Sequence, residues 1–229
     1  MLTLKNPPDN RLASPVWVDS KELLYFLQEN EAKALIITGA GRHFSNGADL
    51  PAIQNMLKEG ALAEQLDQGK ELLHTLYQLN IPVMAASEGV CFGGGLEIAL
   101  SSHLRVMSEK ALLAFPETMH KLMPGLAGNW LIKKHLTLGK SMEMLLGNKV
   151  FNAEEAMKEG LTDYTCPSKS SLNFALSLAE KMTKDRPMQV IHHVMQALKN
   201  SYEMSREEAL KEETRLFCEL AHEVERDHE

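Results

Sequence analysis

Pro82-Val83-Met84-Ala85-Ala86-Ser87-Glu88-Gly89-Val90-Cys91-Phe92-Gly93-Gly94-Gly95-Leu96-Glu97-Ile98-Ala99-Leu100 is the stretch whose reading decides the fold. The apolar run at 83–86 reads as a strand buried on both faces. Three successive glycines follow, then the start of an apolar helix carrying one carboxylate, Glu97. Glycines let the backbone approach a ligand closely, and a helix N-terminus offers free N–H groups with partial positive charge. Such an arrangement stabilises negative charge on a ligand.

The same two patterns recur on either side. Ala34–Thr38 reads as a second buried strand, Leu104–Met107 as a third, and Leu2–Leu4 as a short one stopped by the turn residues Asn6 to Asn10. Ala111–Phe115 follows the turn at Ser108-Glu109-Lys110. A helix starts at Asp19 or Ser20, with Leu23, Leu24, Phe26 and Leu27 as its apolar residues. Residues 51–80 are helical in pattern, with Gly60 and Gly69 as breaks or mobile points. Residues 129–146 read as helix. A short helix over 152–159 has Asn152 as cap and Gly160 as stop. From Ser170 the pattern is helical almost to the end, interrupted near Arg186-Pro187. Alternating strands and helices favour βα units with parallel strands, hence an α/β fold. No repeat or linker divides the chain. The helical last third is too apolar for a solvated appendage and is expected to pack on the core or on a neighbouring subunit.

Composition narrows the function classes. The net charge of −7 argues against a nucleic-acid surface, and no stretch reaches the ~18 apolar residues of a membrane span. Cys91, Cys166 and Cys218 are odd in number and far apart, so neither a disulfide framework nor a zinc site is indicated. Pro7, Pro8 and Asp9 stand where a signal peptide needs an apolar run. These features give the expectation of a cytoplasmic protein that binds neither nucleic acid nor membrane.

Several motifs fail on inspection. Gly39-Ala40-Gly41 opens like a dinucleotide fingerprint, but Phe44 occupies the third glycine position. Leu138-Gly139-Lys140-Ser141 ends like a phosphate loop, but Lys134 replaces its first glycine. His192-His193 lacks the i, i+4 spacing of a metal pair. Neither Ser45 nor Ser87 lies in a Gly-x-Ser-x-Gly elbow.

Four features remain: the turn Asn46-Gly47-Ala48-Asp49, the helix start Gly93-Gly94-Gly95, and two carboxylates, Glu97 and Glu117, each beside an expected strand end. In this order, together with Thr38-Gly39-Ala40-Gly41, Phe44–Leu50, Pro82–Leu100, Ala114–Gly128 and Ala153–Thr162, they resemble the crotonase superfamily, the enoyl-CoA hydratase/isomerase family. The resemblance covers nearly the whole chain. It implies a spiral of ββα units with a C-terminal helical trimerisation region: residues 1–168 as the core with the active site, and 169–229 as a helical region of the same structural unit. The assembly it implies is a homotrimer or a dimer of trimers.

The resemblance also implies roles. The backbone N–H groups of Ala48 and Gly94 become an oxyanion hole for a thioester carbonyl, where one donor is typically worth about 3–4 kcal/mol of transition-state stabilisation. Glu117 becomes the main base and acid, with Glu97 as its partner, and the Gly125 N–H holds the catalytic water. Two carboxylates suit such work because one can be ionised while its neighbour is held protonated. No metal or redox cofactor is called for; the CoA thioester is the substrate. Retention of both glutamates favours reversible hydration of a 2-enoyl thioester. The alternatives are a Δ3,Δ2-enoyl-CoA isomerase, a dehydratase acting on a carrier-protein-bound acyl chain, as in polyketide biosynthesis, and a non-catalytic acyl-CoA-binding protein.

The chain departs from the family pattern at Lys121, where a glycine is common, at His103, where an acidic residue is usual, and at Leu126-Ala127-Gly128-Asn129-Trp130, where a glycine-rich stretch is usual. His120 and Trp130 are expected near the acyl pocket. The chain also ends soon after Leu220-Ala221-His222, short of the usual family tail.

Overall fold

Apolar runs without alternation become the middle of a parallel sheet, because helices cover both of its faces. A computed structural model describes residues 1–13 and 17–226. Its strands β1 (Leu2–Leu4), β2 (Leu35–Gly39) and β3 (Val83–Ser87), with β5 (Leu104–Ser108) and β8 (Tyr164–Cys166), form one all-parallel sheet in the order β1-β2-β3-β5-β8. The register sets Ile37 beside Ala85 and Ala85 beside Arg105. A smaller sheet joins β4 (Val90–Phe92), β6 (Leu112–Ala114) and β7 (Phe151–Asn152), with β6 and β7 antiparallel. The chain crosses from the large sheet to the small one between β3 and β4, and the glycine turn follows the end of β4, leading into the helix Gly94–Leu100.

Successive side chains on a strand point to opposite faces, and the large sheet divides its residues accordingly. Leu35, Ile37, Val83, Ala85 and Met107 enter the main core with Phe44, Leu96 and Phe115. Ile36, Met84, Ala86 and Val106 face the other way, against Ala175 and Ala179 of α8 (Ser171–Thr183). Glu88 fixes the start of that helix by accepting the N–H groups of Lys169 and Ser171 at 3.0 Å each.

The other helices are α1 (Ser20–Glu29), α2 (Leu50–Lys58), α3 (Leu62–Gln78), α4 (Gly94–Leu100), α5 (Gly128–Ile132), α6 (Leu138–Leu145), α7 (Ala153–Lys158), α9 (Met188–Glu203) and α10 (Arg206–Arg226). Asp19 caps α1, and Asn152 forms a capping box with Glu155 on α7. The helices α9 and α10 pack against each other, and the Lys199 ammonium on α9 donates to the Gln78 carbonyl at the end of α3. Residues 227–229 of the expected helical region lie outside the described residues.

Four local readings change. Gly60 does separate α2 from α3, but Gly69 lies buried inside α3, neither a break nor a mobile point. A Cβ there would stand 2.6 Å from Leu126 Cδ2 and 2.8 Å from Trp17 Cζ2, so the glycine is a site of close approach. The helix expected over 129–146 is two helices, α5 and α6. The strands β4, β7 and β8 are too short for a periodic signal and exist through their tertiary partners. A second break, at Met204-Ser205, divides α9 from α10.

Candidate active site

The site is assembled around the turn that carries Ala48. Leu12 N–H donates to the Gly47 carbonyl at 2.8 Å, and the Leu12 carbonyl accepts the Asp49 N–H at 3.0 Å. These bonds grip Ala48 from both sides and leave its own N–H pointing the other way, without an acceptor among the described residues. Ser45 supports the turn from beneath: its hydroxyl donates to the Asn10 carbonyl at 2.7 Å and accepts the Gly47 N–H at 3.1 Å. Asn10, buried and left-handed at φ 51°, sends its amide to the carbonyls of Ala40 and His43 at 2.8 Å each.

The glycine turn meets this one face to face. Gly47 has φ 78° and Gly93 has φ 52°, values that favour glycine. A Cβ on Gly47 would lie 3.0 Å from the Phe92 carbonyl oxygen and 3.5 Å from Gly93 Cα. Gly93 ends in the cap position of α4, and the Gly94 N–H, like that of Ala48, meets no acceptor among the described residues. Two free backbone donors therefore follow two glycines packed against each other.

The carboxylates stand beside this pair. Glu97, on the first turn of α4, is 1% exposed. Its Oε1 accepts three consecutive backbone N–H groups: Leu126 at 2.8 Å, Ala127 at 2.8 Å and Gly128 at 2.6 Å. Its Oε2 faces Gly94, 3.9 Å from where a Cβ on that residue would stand. Burial pushes the Glu97 carboxyl up from its ordinary value; the three N–H groups and the Lys70 charge pull against that.

Glu117 opens a 3-10 turn, Glu117–His120, directly after β6. Its Oε1 lies 2.7 Å from where a Cβ on Gly93 would project. Its Oε2 is buried and accepts no hydrogen bond from any described residue. Burial, with the nearby Glu97 charge as a smaller contribution, pushes the Glu117 carboxyl up to about 7. Two carboxyls at one site thus differ in environment: one oxygen of Glu97 is held by three donors, while Glu117 keeps an oxygen free near neutrality.

Ala48, Gly94, Glu97, Glu117 and Gly125 all line one cavity of about 350 Å³. That volume lies within the usual range for small-molecule sites. Gly125 contributes an N–H that donates to no described residue, immediately before the three that bind Glu97. His120 lines the cavity as expected. Trp130 does not: it is half-exposed, with the Lys134 ammonium 4.2 Å and the Lys133 ammonium 5.3 Å from its ring centre. His103 is a tether between elements; its Nδ1 accepts the Val83 N–H at 3.0 Å, and its Nε2 lies 2.8 Å from the Tyr77 carbonyl. Among the described residues, no group of three or more His, Cys, Asp and Glu is disposed to hold a metal ion, and no helix is long and apolar enough to cross a membrane.

Sequence reasoning missed the residues that hold the site. The Leu126–Gly128 cradle acts through backbone N–H groups, which any side chain permits. Only Gly128 left a trace: a Cβ there would meet Glu97 Oε1 at 3.0 Å and Pro124 Cβ at 2.7 Å. Asn10 read as an ordinary turn residue, and Leu12 and Trp17 carried no signal for lining a site.

Fold and site together define an α/β protein of the crotonase fold. The family model described as Enoyl-CoA hydratase/isomerase matches residues 1–228, and the chain belongs to that family of enzymes. It is 32% identical over 220 residues to the 2,3-dehydroadipyl-CoA hydratase of Escherichia coli strain K12, covering 93% of this chain and 84% of that protein. It is 36% identical over 186 residues to the peroxisomal fatty acid beta-oxidation multifunctional protein AIM1 of Arabidopsis thaliana. That match covers 79% of this chain but 26% of the relative, so the chain spans about a quarter of the multifunctional protein. Among solved structures, Pseudomonas aeruginosa DspI superposes with a TM-score of 0.86 at 28% identity, covering 95% of this chain and 83% of that one. An enoyl-CoA hydratase from Bacillus anthracis gives 0.84 at 25%, covering 96% and 86%.

Proposed function

We propose that this protein hydrates 2-enoyl thioesters reversibly, with acyl-CoA as the substrate form. The observation that carries the reading is the pairing, across one cavity, of two unengaged backbone N–H groups with a buried carboxyl, Glu97, and a partly buried one, Glu117. The thioester carbonyl oxygen sits between the Ala48 and Gly94 N–H groups. Water, held by the Gly125 N–H and by the carboxyls of Glu97 and Glu117, adds through oxygen to Cβ. Glu117 takes the water's proton as that bond forms. The π electrons move toward C1, and the charge that collects on the carbonyl oxygen is stabilised by the two N–H groups. A proton then reaches Cα, and the sum is one water added across the double bond.

The division of labour follows from environment. A carboxyl near neutrality with a free oxygen is suited to taking up and returning a proton at physiological pH, so Glu117 is the principal proton carrier. Glu97, with one oxygen locked by three donors, orients the water and biases the charge of its partner. No step needs a metal or a redox cofactor.

Loss of the conjugated enoyl absorbance of 2-enoyl-CoA substrates, from crotonyl- to 2-octenoyl-CoA, tests the reading. Turnover that Glu117→Gln abolishes while the protein still binds CoA thioesters is expected. Absence of turnover on every substrate, with binding intact, overturns it, and conversion of a 3-enoyl-CoA alone assigns an isomerase instead. The homotrimer implied by the C-terminal helices is part of the proposal, and light scattering that gives a clean monomer removes it.

A further inference from the structure

We infer that Asn10 is a positioning residue for the reaction: its buried carboxamide pins the loop that aims the Ala48 N–H at the thioester oxygen. The inference rests on the thioester reading above. Asn10 lies in the loop after β1 and is 1% exposed. Its φ of 51° is left-handed, a conformation that Asn tolerates better than most residues. Its side-chain nitrogen donates to the Ala40 and His43 carbonyls at 2.8 Å each and to that of Phe44 at 3.3 Å. These acceptors converge because the loop after β2 folds back on Gly39. A Cβ on Gly39 would stand 2.1 Å from the His43 carbonyl oxygen and 2.4 Å from that of Phe44. Oδ1 of Asn10 accepts the Asn6 N–H at 3.1 Å, so the whole amide is engaged in joining two loops.

Two routes lead from Asn10 to Ala48. The first runs along the chain: two residues on, Leu12 bonds the Gly47 carbonyl and the Asp49 N–H, one on each side of Ala48. On the other side of Asn10, the Asp9 carbonyl accepts the Asn46 N–H at 2.9 Å. The second route runs across: the Asn10 carbonyl accepts the Ser45 hydroxyl, and that hydroxyl accepts the Gly47 N–H. Every other N–H of residues 46–49 thus has an acceptor, and that of Ala48 is the one left for a ligand. Gly94 is placed differently. It starts α4, and among the described residues no hydrogen bond joins it to residues 9–12. Loss of the Asn10 amide therefore loosens one donor and leaves the other. A donor that points away matters most when charge collects on the carbonyl oxygen, whereas binding of the thioester, spread over the cavity, changes little.

Asn10→Gly keeps the left-handed φ and removes the amide, while Asn10→Asp keeps the size and sets oxygens against three carbonyl oxygens. In both, kcat on crotonyl-CoA is expected to fall about 10- to 100-fold, less than for loss of a whole donor, with KM within about threefold. The direct readout is butyryl-CoA carrying carbon-13 at C1, which has no double bond to hydrate. Its carbonyl resonance should move downfield on binding to the unaltered protein, because hydrogen bonding polarises the C=O. Both variants should lose about half of that movement or more, one of the two donors being misaimed. Leu161→Ala, a cavity in the core after α7, should lower Tm while leaving kcat and the carbonyl shift of the folded fraction in place. A folded variant that keeps the full carbonyl shift, or the full kcat, overturns the inference and leaves hydration standing. Failure of both variants to fold also overturns it, since Asn10 would then support the whole domain and not the Ala48 turn. Butyryl-CoA that does not bind the unaltered protein, or binds without moving its resonance, overturns the thioester reading and this inference with it.

Discussion

Gly47 and Gly93 pack backbone to backbone, so that a Cβ on Gly93 would stand 3.6 Å from Gly47 Cα and one on Gly47 would stand 3.5 Å from Gly93 Cα. The residue after each glycine supplies one of the two free N–H groups. The close approach of the two donors thus depends on the absence of two side chains, with the Ser45 hydroxyl supporting the Gly47 turn from beneath.

Gly93→Ala should be the more damaging of the two alanine replacements. Its Cβ would lie 2.7 Å from Glu117 Oε1, whereas the Cβ of Gly47→Ala would lie 3.0 Å from the Phe92 carbonyl oxygen. Left-handed φ adds about 1–2 kcal/mol of strain in either case. Gly93→Ala is expected to lower kcat/KM on a 2-enoyl-CoA by about 100-fold or more, because the methyl group displaces the Glu117 carboxyl and positioned proton transfer is typically worth about 10²–10⁴-fold. Steady-state kinetics beside thermal unfolding will separate this from simple destabilisation, which lowers Tm but leaves kcat of the folded fraction intact.

The cradle of Glu97 gives a second expectation. Gly128→Ala places a methyl group 3.0 Å from Glu97 Oε1, 3.0 Å from Phe115 Cε1 and 2.7 Å from Pro124 Cβ. Overpacking of this kind costs about 1–3 kcal/mol. The carboxylate has to shift from its three donors, so kcat is expected to fall at least tenfold. Denaturant unfolding and kcat measured on the same preparation test both parts; unchanged kcat would show that the cradle does not position Glu97.

What the sequence revealed and what it hid divides along physical lines. Val83–Ser87 and the helix behind Gly93 were legible because burial on both faces and glycine conformational freedom leave local marks. Glu97 stood out as a charge among Leu96, Ile98 and Ala99. The three N–H groups that hold it were invisible, since a backbone donor is independent of residue type. Gly69 was misread for a related reason: a glycine inside a helix costs about 1 kcal/mol locally, and only the tertiary approach of Leu126 and Trp17 explains it. The three-residue strand β8 has no periodicity to detect, because its existence depends on pairing Tyr164 with Val106.

Lys121 supplies a third test. It caps the 3-10 turn in the left-handed region, at φ 59° and ψ 30°. A lysine there is strained, and the resemblance to the family places a glycine at this position. Lys121→Gly is expected to raise stability by about 1 kcal/mol, as relief of left-handed strain exceeds the added freedom of the unfolded chain. A rise in denaturant midpoint without a change in slope is the expected result; a fall would mean that the lysine side chain contributes more than its backbone strain costs.

Glu117 ties stability to pH in a direction opposite to that of an ion-paired carboxylate. Its pKa is raised in the fold to about 7, against an ordinary value of 4.5, so the folded protein holds this proton more tightly than the unfolded chain does. Below the ordinary value both states are protonated and the advantage of the fold is complete. As pH rises through 4.5 the unfolded chain releases its proton first, and stability declines until the folded group ionises near 7. Glu117→Gln keeps the shape and removes the titration, so it should match the unaltered protein near pH 4.5 and exceed it at pH 8. The difference, discounted for partial solvent screening, is about 1–2 kcal/mol. Urea unfolding of both proteins between pH 5 and pH 8 measures it. A constant gap across that range would place the pKa of Glu117 near its ordinary value and remove the basis for assigning it as the proton carrier.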